Sequence, residues 1–291
     1  MKKIILFAAI MLNVCAVSAQ LKSLKIEGLK RKYIVYLPHS YKPDRTYPLV
    51  FNFHGGGMTA AEQMLYTGMN RTADQHNFIL VYPAGIKGDW NVGFDMSYKK
   101  GTNDIGFVKA IVDSLKKYHH IYNNAIFATG LSRGGFFCHR LAAEMPDIFA
   151  AIASVGGPLP DSVRYYHLAK SKVSVMQVHG SSDQVVNYDG EKDSYASALA
   201  TFTYWKVHNG LMDIKANTSV LNKDKNDHTS VIIKEVSDPK VAVALVTIEN
   251  GGHTWPGSDP FNIGLPLGYT SKDVDINELI WHFFLKCRKP F

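Results

Sequence analysis

Six apolar runs, Leu49 to Phe53, Phe78 to Tyr82, Ala125 to Ala128, Ala150 to Val155, Val173 to Val178 and Val241 to Ile248, recur along the chain with amphipathic stretches between them. A strand that is apolar at every position has both of its faces covered. Such strands belong to parallel sheets wrapped by helices, whereas a sheet with one wet face alternates. Between the runs the period changes to that of a helix. Ile105, Val108, Ile111, Val112, Leu115 and Tyr118 follow a cap at Asn103 or Asp104, and Ile276, Leu279, Ile280, Phe283, Phe284 and Cys287 close the chain. This order predicts an α/β fold with a mostly parallel central sheet and helices on both faces, opened by an antiparallel pair at Leu24 to Ile26 and Tyr33 to Leu37.

Two segments, Pro158 to Ser171 and Asn209 to His228, lack either period and read as loops or small insertions, too short for a large cap domain. Trp205 shares a helical stripe with Leu199 and Phe202 and reads as core. The adjacent His119 and His120 end a helix, where cations suit the dipole, and read as surface.

Lys2 and Lys3 precede an apolar run from Ile4 to Val17 that ends in Val17-Ser18-Ala19. This is the layout of a cleaved export signal over residues 1–19, and the run is shorter than the roughly 20 apolar residues a membrane-spanning helix needs. Lipid attachment at Cys15 is a poorer fit, because Val14 stands where that processing wants a small residue. Cleavage leaves residues 20–291, a length that one α/β domain fills. It also removes two lysines, taking the formal charge from +7 to +5. The basic residues are scattered rather than gathered into a stripe, so no nucleic-acid partner is expected, nor stable membrane insertion. Cys138 and Cys287 both sit in apolar helical patterns and read as buried free thiols.

Gly130-Leu131-Ser132-Arg133-Gly134 lies between the run Ala125 to Ala128 and a helical stretch with Phe136, Phe137, Leu141 and Ala142. A strand that turns sharply into a helix holds its serine in a strained conformation. It needs glycine two residues before and two after, because a side chain there would collide with the turn. The hydroxyl then projects over a helix N-terminus, whose amides favour developing negative charge. An ordinary turn serine is the bland alternative, and the flanking strand and helix argue against it.

His54-Gly55-Gly56-Gly57 follows the run Leu49 to Phe53, where backbone amides of Gly56 or Gly57, with that of Arg133, are placed to receive a tetrahedral oxyanion. His54 itself reads as a loop support. A serine nucleophile also needs a base and a carboxylate that fixes the base's tautomer. Asp183 follows the run Val173 to Val178 in His179-Gly180-Ser181-Ser182-Asp183; Asp189 and Asp193 are rivals further from the strand. His253 follows the last run through Gly251-Gly252. The order Ser132, Asp183, His253 is that of the α/β hydrolases. Trp90, Phe94 and Trp255 are candidates to line a substrate pocket, with simple packing as the alternative. No metal-ligand spacing is evident.

Together, the HGGG, GLSRGG, HGSSDQVV and GGHTWPG segments resemble those of the secreted polyhydroxybutyrate depolymerase and feruloyl esterase family of α/β hydrolases, over the chain from about Lys30 onward. Asp104 to Val112 resembles that family's helix before the nucleophile strand. The resemblance implies a serine esterase with nucleophile Ser132, acid Asp183, base His253 and oxyanion amides at Gly56 and Arg133, needing neither metal nor organic cofactor. It points to feruloyl or acetyl esters of plant polysaccharide, with polyhydroxyalkanoate depolymerisation as the alternative, and to a secreted or periplasmic location. Small or polysaccharide-linked esters are the expected partners. A non-catalytic polymer-binding protein on the same scaffold is the rival of another class. Two departures stand out: Arg133 replaces a smaller polar residue, and cysteines common before the histidine loop are absent.

Overall fold

A computed structural model describes residues 19–259 and 266–288. The proposed export signal up to Ser18 lies outside them; Ala19 is already part of the first strand. Among the described residues ten strands form one sheet: β1 (Ala19–Ile26), β2 (Leu29–Tyr36), β3 (Thr46–Phe53), β4 (Ile79–Pro83), β5 (His120–Leu131), β6 (Ala151–Val155), β7 (Ser174–Gly180), β8 (Asn217–Leu221), β9 (Ser230–Ser237) and β10 (Ala242–Glu249). Their order is β1-β2-β4-β3-β5-β6-β7-β10-β9-β8. The centre from β4 to β10 is parallel throughout. Antiparallel pairs flank it on both sides.

Successive residues of the central strands fall into two separate cores. Leu49, Phe51 and Phe53 of β3 join one core and Val50 the other; Val243 and Leu245 of β10 join the first, Ala244 and Val246 the second. This division is why the runs read as continuously apolar. The first core is covered by α3 (Asp104–Tyr118), α4 (Arg133–Glu144), α5 (Asp161–Tyr166) and α6 (Ala198–His208); the second by α1 (Ala60–Thr67), α2 (Asn70–His76) and α7 (Ile276–Lys286). The α/β-hydrolase architecture expected from the sequence is the one observed.

Several elements differ from the sequence reading. The stretch Asn209 to His228 holds β8, whose first four residues are exposed. It pairs with β9, which carries Lys234 and Glu235 among partly covered residues. An edge strand in water has no apolar run to betray it. Pro158 to Ser171 contains the short α5. Helix α1 carries a capping box: the Thr59 hydroxyl accepts from the Glu62 amide, and the Glu62 carboxylate accepts from the Thr59 amide at 2.7 Å. The Thr59-Ala-Ala-Glu62 spacing is visible in the sequence as a helix start. His119 is not a surface cation on the helix dipole. Its residue has left the helix for an extended conformation, its ring bonds Tyr41 Oη at 2.7 Å, and partial burial lowers its pKa. Cys138 and Cys287 are free and buried, and burial pushes the Cys287 thiol up to about 12.

Candidate active site

The loops that follow β3, β5, β7 and β10 converge at the carboxyl ends of the parallel strands, the usual place for a site in an open α/β sheet. Ser132 joins β5 to α4 with φ +54° and ψ −118°, a conformation unfavourable for a residue with a side chain. It occupies the N-cap position, yet its side chain makes no capping bond. Neighbouring backbone enforces the turn: the Ser132 amide donates to the Val155 carbonyl at 2.7 Å, and the Phe136 amide donates to the Ser132 carbonyl at 2.9 Å. A Cβ on Gly130 would stand 2.7 Å from the Gly134 carbonyl carbon, and one on Gly134 would collide with the Phe53 carbonyl oxygen. Since every colliding atom is backbone, no side chain can move aside to admit a larger residue.

The His54-Gly55-Gly56-Gly57 turn lies against this elbow. An added Cβ on Gly55 would be 3.6 Å from Ser132 Cβ, and one on Gly56 3.7 Å from Arg133 Cβ. The turn is braced from behind by the loop after β4. Gly85 donates its amide to His54 Nε2 at 2.9 Å, so the ring proton sits on Nδ1 and is donated to the Gly55 carbonyl at 2.8 Å. Burial lowers the His54 pKa, which keeps this tautomer neutral. The Gly57 amide donates to the Gly88 carbonyl at 2.9 Å, so it is committed elsewhere, and Gly56 with Arg133 are left as the oxyanion candidates.

On the other side of the elbow, Asp183 Oδ2 accepts from His253 Nδ1 at 2.6 Å. Asp183 Oδ1 accepts from the amides of Val185 at 2.9 Å and Val186 at 2.8 Å. Burial alone would raise the Asp183 pKa, but hydrogen bonds and charge interactions with His179 and His253 more than offset it, and the carboxyl is held well below its ordinary value. The two loops are sewn together through their backbones: Ser181 donates to Ile248 and Ser182 to Gly251, both at 2.9 Å.

Gly156 and Gly157, after β6, link the two halves. A Cβ on Gly156 would be 3.1 Å from the His253 ring, and one on Gly157 would collide with the Ser132 carbonyl oxygen. Ser132 and His253 open on one cavity of about 300 Å³. Its wall is mainly apolar, from Met58, Tyr66, Phe94, Leu131, Phe136, Val185, Val186 and Leu267.

Of the aromatic residues named as pocket candidates, Phe94 lines this cavity and the two tryptophans do not. Both are fully buried. Trp90 stacks on Phe137 and donates its indole N–H to the His54 carbonyl at 3.0 Å, holding the glycine turn from within the core. Trp255 donates its indole N–H to Asn277 Oδ1 at 3.0 Å, tying the histidine loop to α7. Position along the chain had placed them beside the site; their large apolar rings gain more from packing beneath it. The sequence reading did not single out Met58, Tyr66, Leu131, Phe136, Val185, Val186 and Leu267. Val185 and Val186 stand within the quoted acid-loop motif, whereas Met58, Tyr66 and Leu267 come from segments whose approach only the fold reveals. Arg133 pairs with Asp89 at 3.0 Å and Asp95 at 3.1 Å, and its guanidinium lies over the Phe94 ring at 4.9 Å. Its charge is therefore largely answered by neighbours. Among the described residues, no group of three or more His, Cys, Asp or Glu side chains is placed to hold a metal ion. No helix among them is long and apolar enough to cross a membrane.

The sequence profile of the esterase PHB depolymerase family matches residues 31–225. The chain belongs to this family. A Nocardia uniformis subsp. tsuyamanensis protein named as an esterase, NocK, is 27% identical over 72% of this chain and 66% of its own length. The bifunctional acetylxylan esterase/xylanase XynS20E of Neocallimastix patriciarum is 30% identical over 56% of this chain and 23% of its own. Feruloyl esterase C of Emericella nidulans is 26% identical over 55% and 57%. The chain thus spans from about a quarter to two thirds of the length of these relatives. Among solved structures, the acetyl xylan esterase from Aspergillus awamori superposes with a TM-score of 0.63 over 92% of this chain and 99% of its own, at 15% identity, a likeness of fold.

Proposed function

We propose that this member of the esterase PHB depolymerase family is a serine carboxylic-ester hydrolase that works through an acyl-enzyme on Ser132. The observation that carries the reading is the 2.6 Å Asp183–His253 pair opening on the same cavity as a serine at a strained strand-to-helix turn. With Nδ1–H donated to Asp183, His253 presents the lone pair of Nε2 toward the cavity side. That nitrogen takes the Ser132 proton as the hydroxyl attacks the ester carbonyl. The oxyanion is received by the amides of Gly56 and Arg133, each donor contributing about 3 kcal/mol to the barrier reduction. The imidazolium, stabilised by Asp183, returns its proton to the departing alcohol, and a water activated by the same ring releases the acid.

The acyl group occupies the apolar cavity on which Ser132 and His253 open. The wall of Phe94, Phe136, Tyr66 and Met58 suits a planar aromatic or short acyl group, which favours feruloyl or acetyl esters of plant polysaccharide. The second reading, hydroxyalkanoate depolymerisation, is favoured by the family's own description. Export through cleavage after Ala19 belongs to the same proposal, and N-terminal sequencing of the secreted protein should begin at Gln20.

The test is covalent labelling by a fluorophosphonate, followed by turnover of methyl ferulate, acetylated xylan and hydroxybutyrate oligomers. Labelling is expected in the wild type and absent in Ser132→Ala. An unlabelled wild type would leave a non-catalytic polymer-binding protein as the better reading, and turnover confined to hydroxybutyrate esters would overturn the polysaccharide preference.

A further inference from the structure

The carboxylate of Asp183 ends a line of buried polar side chains that reaches across three elements of the fold. Trp205 of α6 donates its indole N–H to His139 Nδ1 at 3.0 Å. His139 of α4 bonds Gln177 Oε1 through Nε2 at 3.0 Å. Gln177 of β7 places Nε2 3.3 Å from His179 Nδ1. His179 Nε2 lies 2.8 Å from the Val186 carbonyl and 3.4 Å from Asp183 Oδ2. Trp205, His139 and Gln177 are fully buried, and His179 is 1% exposed.

The chemistry of each member sets the next. An indole N–H can only donate, so His139 Nδ1 accepts and its proton sits on Nε2. Burial lowers the His139 pKa to about 4, so the ring is neutral and holds one proton. Its Nε2–H selects the oxygen of Gln177, which turns the glutamine NH2 toward His179 Nδ1. That nitrogen then accepts, and the His179 proton sits on Nε2. At the far end a carbonyl and a carboxylate, both acceptors only, demand the same proton. Both ends of the line impose one direction, and every intervening group has a single tautomer or amide orientation that satisfies it.

Resting on the esterase reading above, we infer that His179 is a positioning residue for catalysis. Its tautomer, fixed through Gln177 and His139 by Trp205, clamps the Val185–Val186 turn and the Asp183 carboxylate in the orientation His253 requires. His179 Nε2–H holds the Val186 carbonyl while the Val186 amide holds Asp183 Oδ1 at 2.8 Å. One imidazole N–H thereby holds the strip of backbone that aims the acid and lies 3.4 Å from the carboxylate itself. Since Val185 and Val186 also line the cavity, the same clamp sets part of the acyl wall.

Substitution at His179 separates this role from mere packing. The amide nitrogen of glutamine reaches the place of imidazole Nε2, whereas leucine fills the volume without a donor. On a p-nitrophenyl ester, His179→Leu is expected to lower kcat by about 10- to 100-fold with KM within about twofold, and His179→Gln to recover most of that loss. Trp205→Phe, at the other end of the line, keeps an aromatic ring, though a smaller one, and removes the donor; kcat is expected to fall about two- to fivefold with KM unchanged. It also stands as an independent arm should the leucine variant not fold. Equal impairment of His179→Gln and His179→Leu, a loss carried by KM, or leucine and phenylalanine variants as fast as wild type would each overturn the inference. Wild type and Ser132→Ala run alongside keep it distinct from the esterase reading: if Ser132→Ala is as active as wild type the reading itself fails, whereas a dead Ser132→Ala beside an unimpaired His179→Leu removes the positioning role alone.

Discussion

The two sides of the candidate site are built on different physical terms. The side that carries Ser132 is shaped by contact. Gly130, Gly134 and the His54 turn meet backbone to backbone, and the strained Ser132 persists because there is no room for another path. The side that carries Asp183 and His253 has close glycine contacts of its own, at Gly180 and Gly252, but its polar side chains are set by hydrogen bonds: Asp183 accepts from two amides and from His253, with His179 3.4 Å away, and its loop is stitched to that of His253. A contact-built site fails by losing its shape. A hydrogen-bonded one keeps its shape and loses its chemistry.

The sharpest test of that contrast is Asp183→Asn, expected to leave the fold intact and to lower kcat by about 10⁴-fold, because the amide favours the wrong tautomer of the base. Steady-state kinetics beside a thermal melt reads both halves of the claim, and a loss below tenfold would mean the carboxylate is dispensable. On the contact side, Gly134→Ala is expected to cost about 3 kcal/mol or more in urea unfolding, since the colliding atoms are carbonyl oxygens that cannot rotate away. A cost under 1 kcal/mol would show that the elbow yields. Trp90→Phe removes one hydrogen bond behind the glycine turn and leaves a small cavity where the indole packs; about 2 kcal/mol of stability is expected to go, with KM unchanged.

The smallest effect is in acid. Asp183 is depressed below its ordinary value of 3.8, so its contribution is complete above that pH and is lost as pH falls from there toward the folded-state pKa. Between pH 6 and pH 3 the wild type should lose about 1 kcal/mol more unfolding free energy than Asp183→Asn. Equal losses would mean the carboxylate titrates normally.

The same contrast explains what could be read without a structure. Steric contact leaves a local mark, because only glycine fits; Gly130, Gly134 and the His54 turn were visible as motifs, and so was the strand that precedes each. The doubly covered strands were legible for a similar reason, burial on both faces leaving no polar residue to break the run. Hydrogen-bonded support leaves no such mark. His139, Gln177 and Trp205 are distant in sequence and ordinary as residue types, and only the packing of α4, β7 and α6 makes them neighbours. The edge strand β8 was hidden because solvent, rather than a core, chooses its side chains. Trp90 and Trp255 were drawn toward the pocket by their place in the chain, whereas their burial sets them beneath it.

The cavity wall is tied to the His253 loop at two points, one of them the Leu267 carbonyl, which accepts from the His253 amide at 2.6 Å. The hydroxyl of Tyr66, a residue of the wall, accepts from the Trp255 amide at 3.0 Å, two residues beyond His253. A change at Tyr66 therefore also reaches the histidine loop. Under the proposed esterase reading, trimming this tyrosine is expected to disturb the His253 loop along with the cavity, whereas changes at Met58 or Phe94 alter the same wall and leave that bond in place.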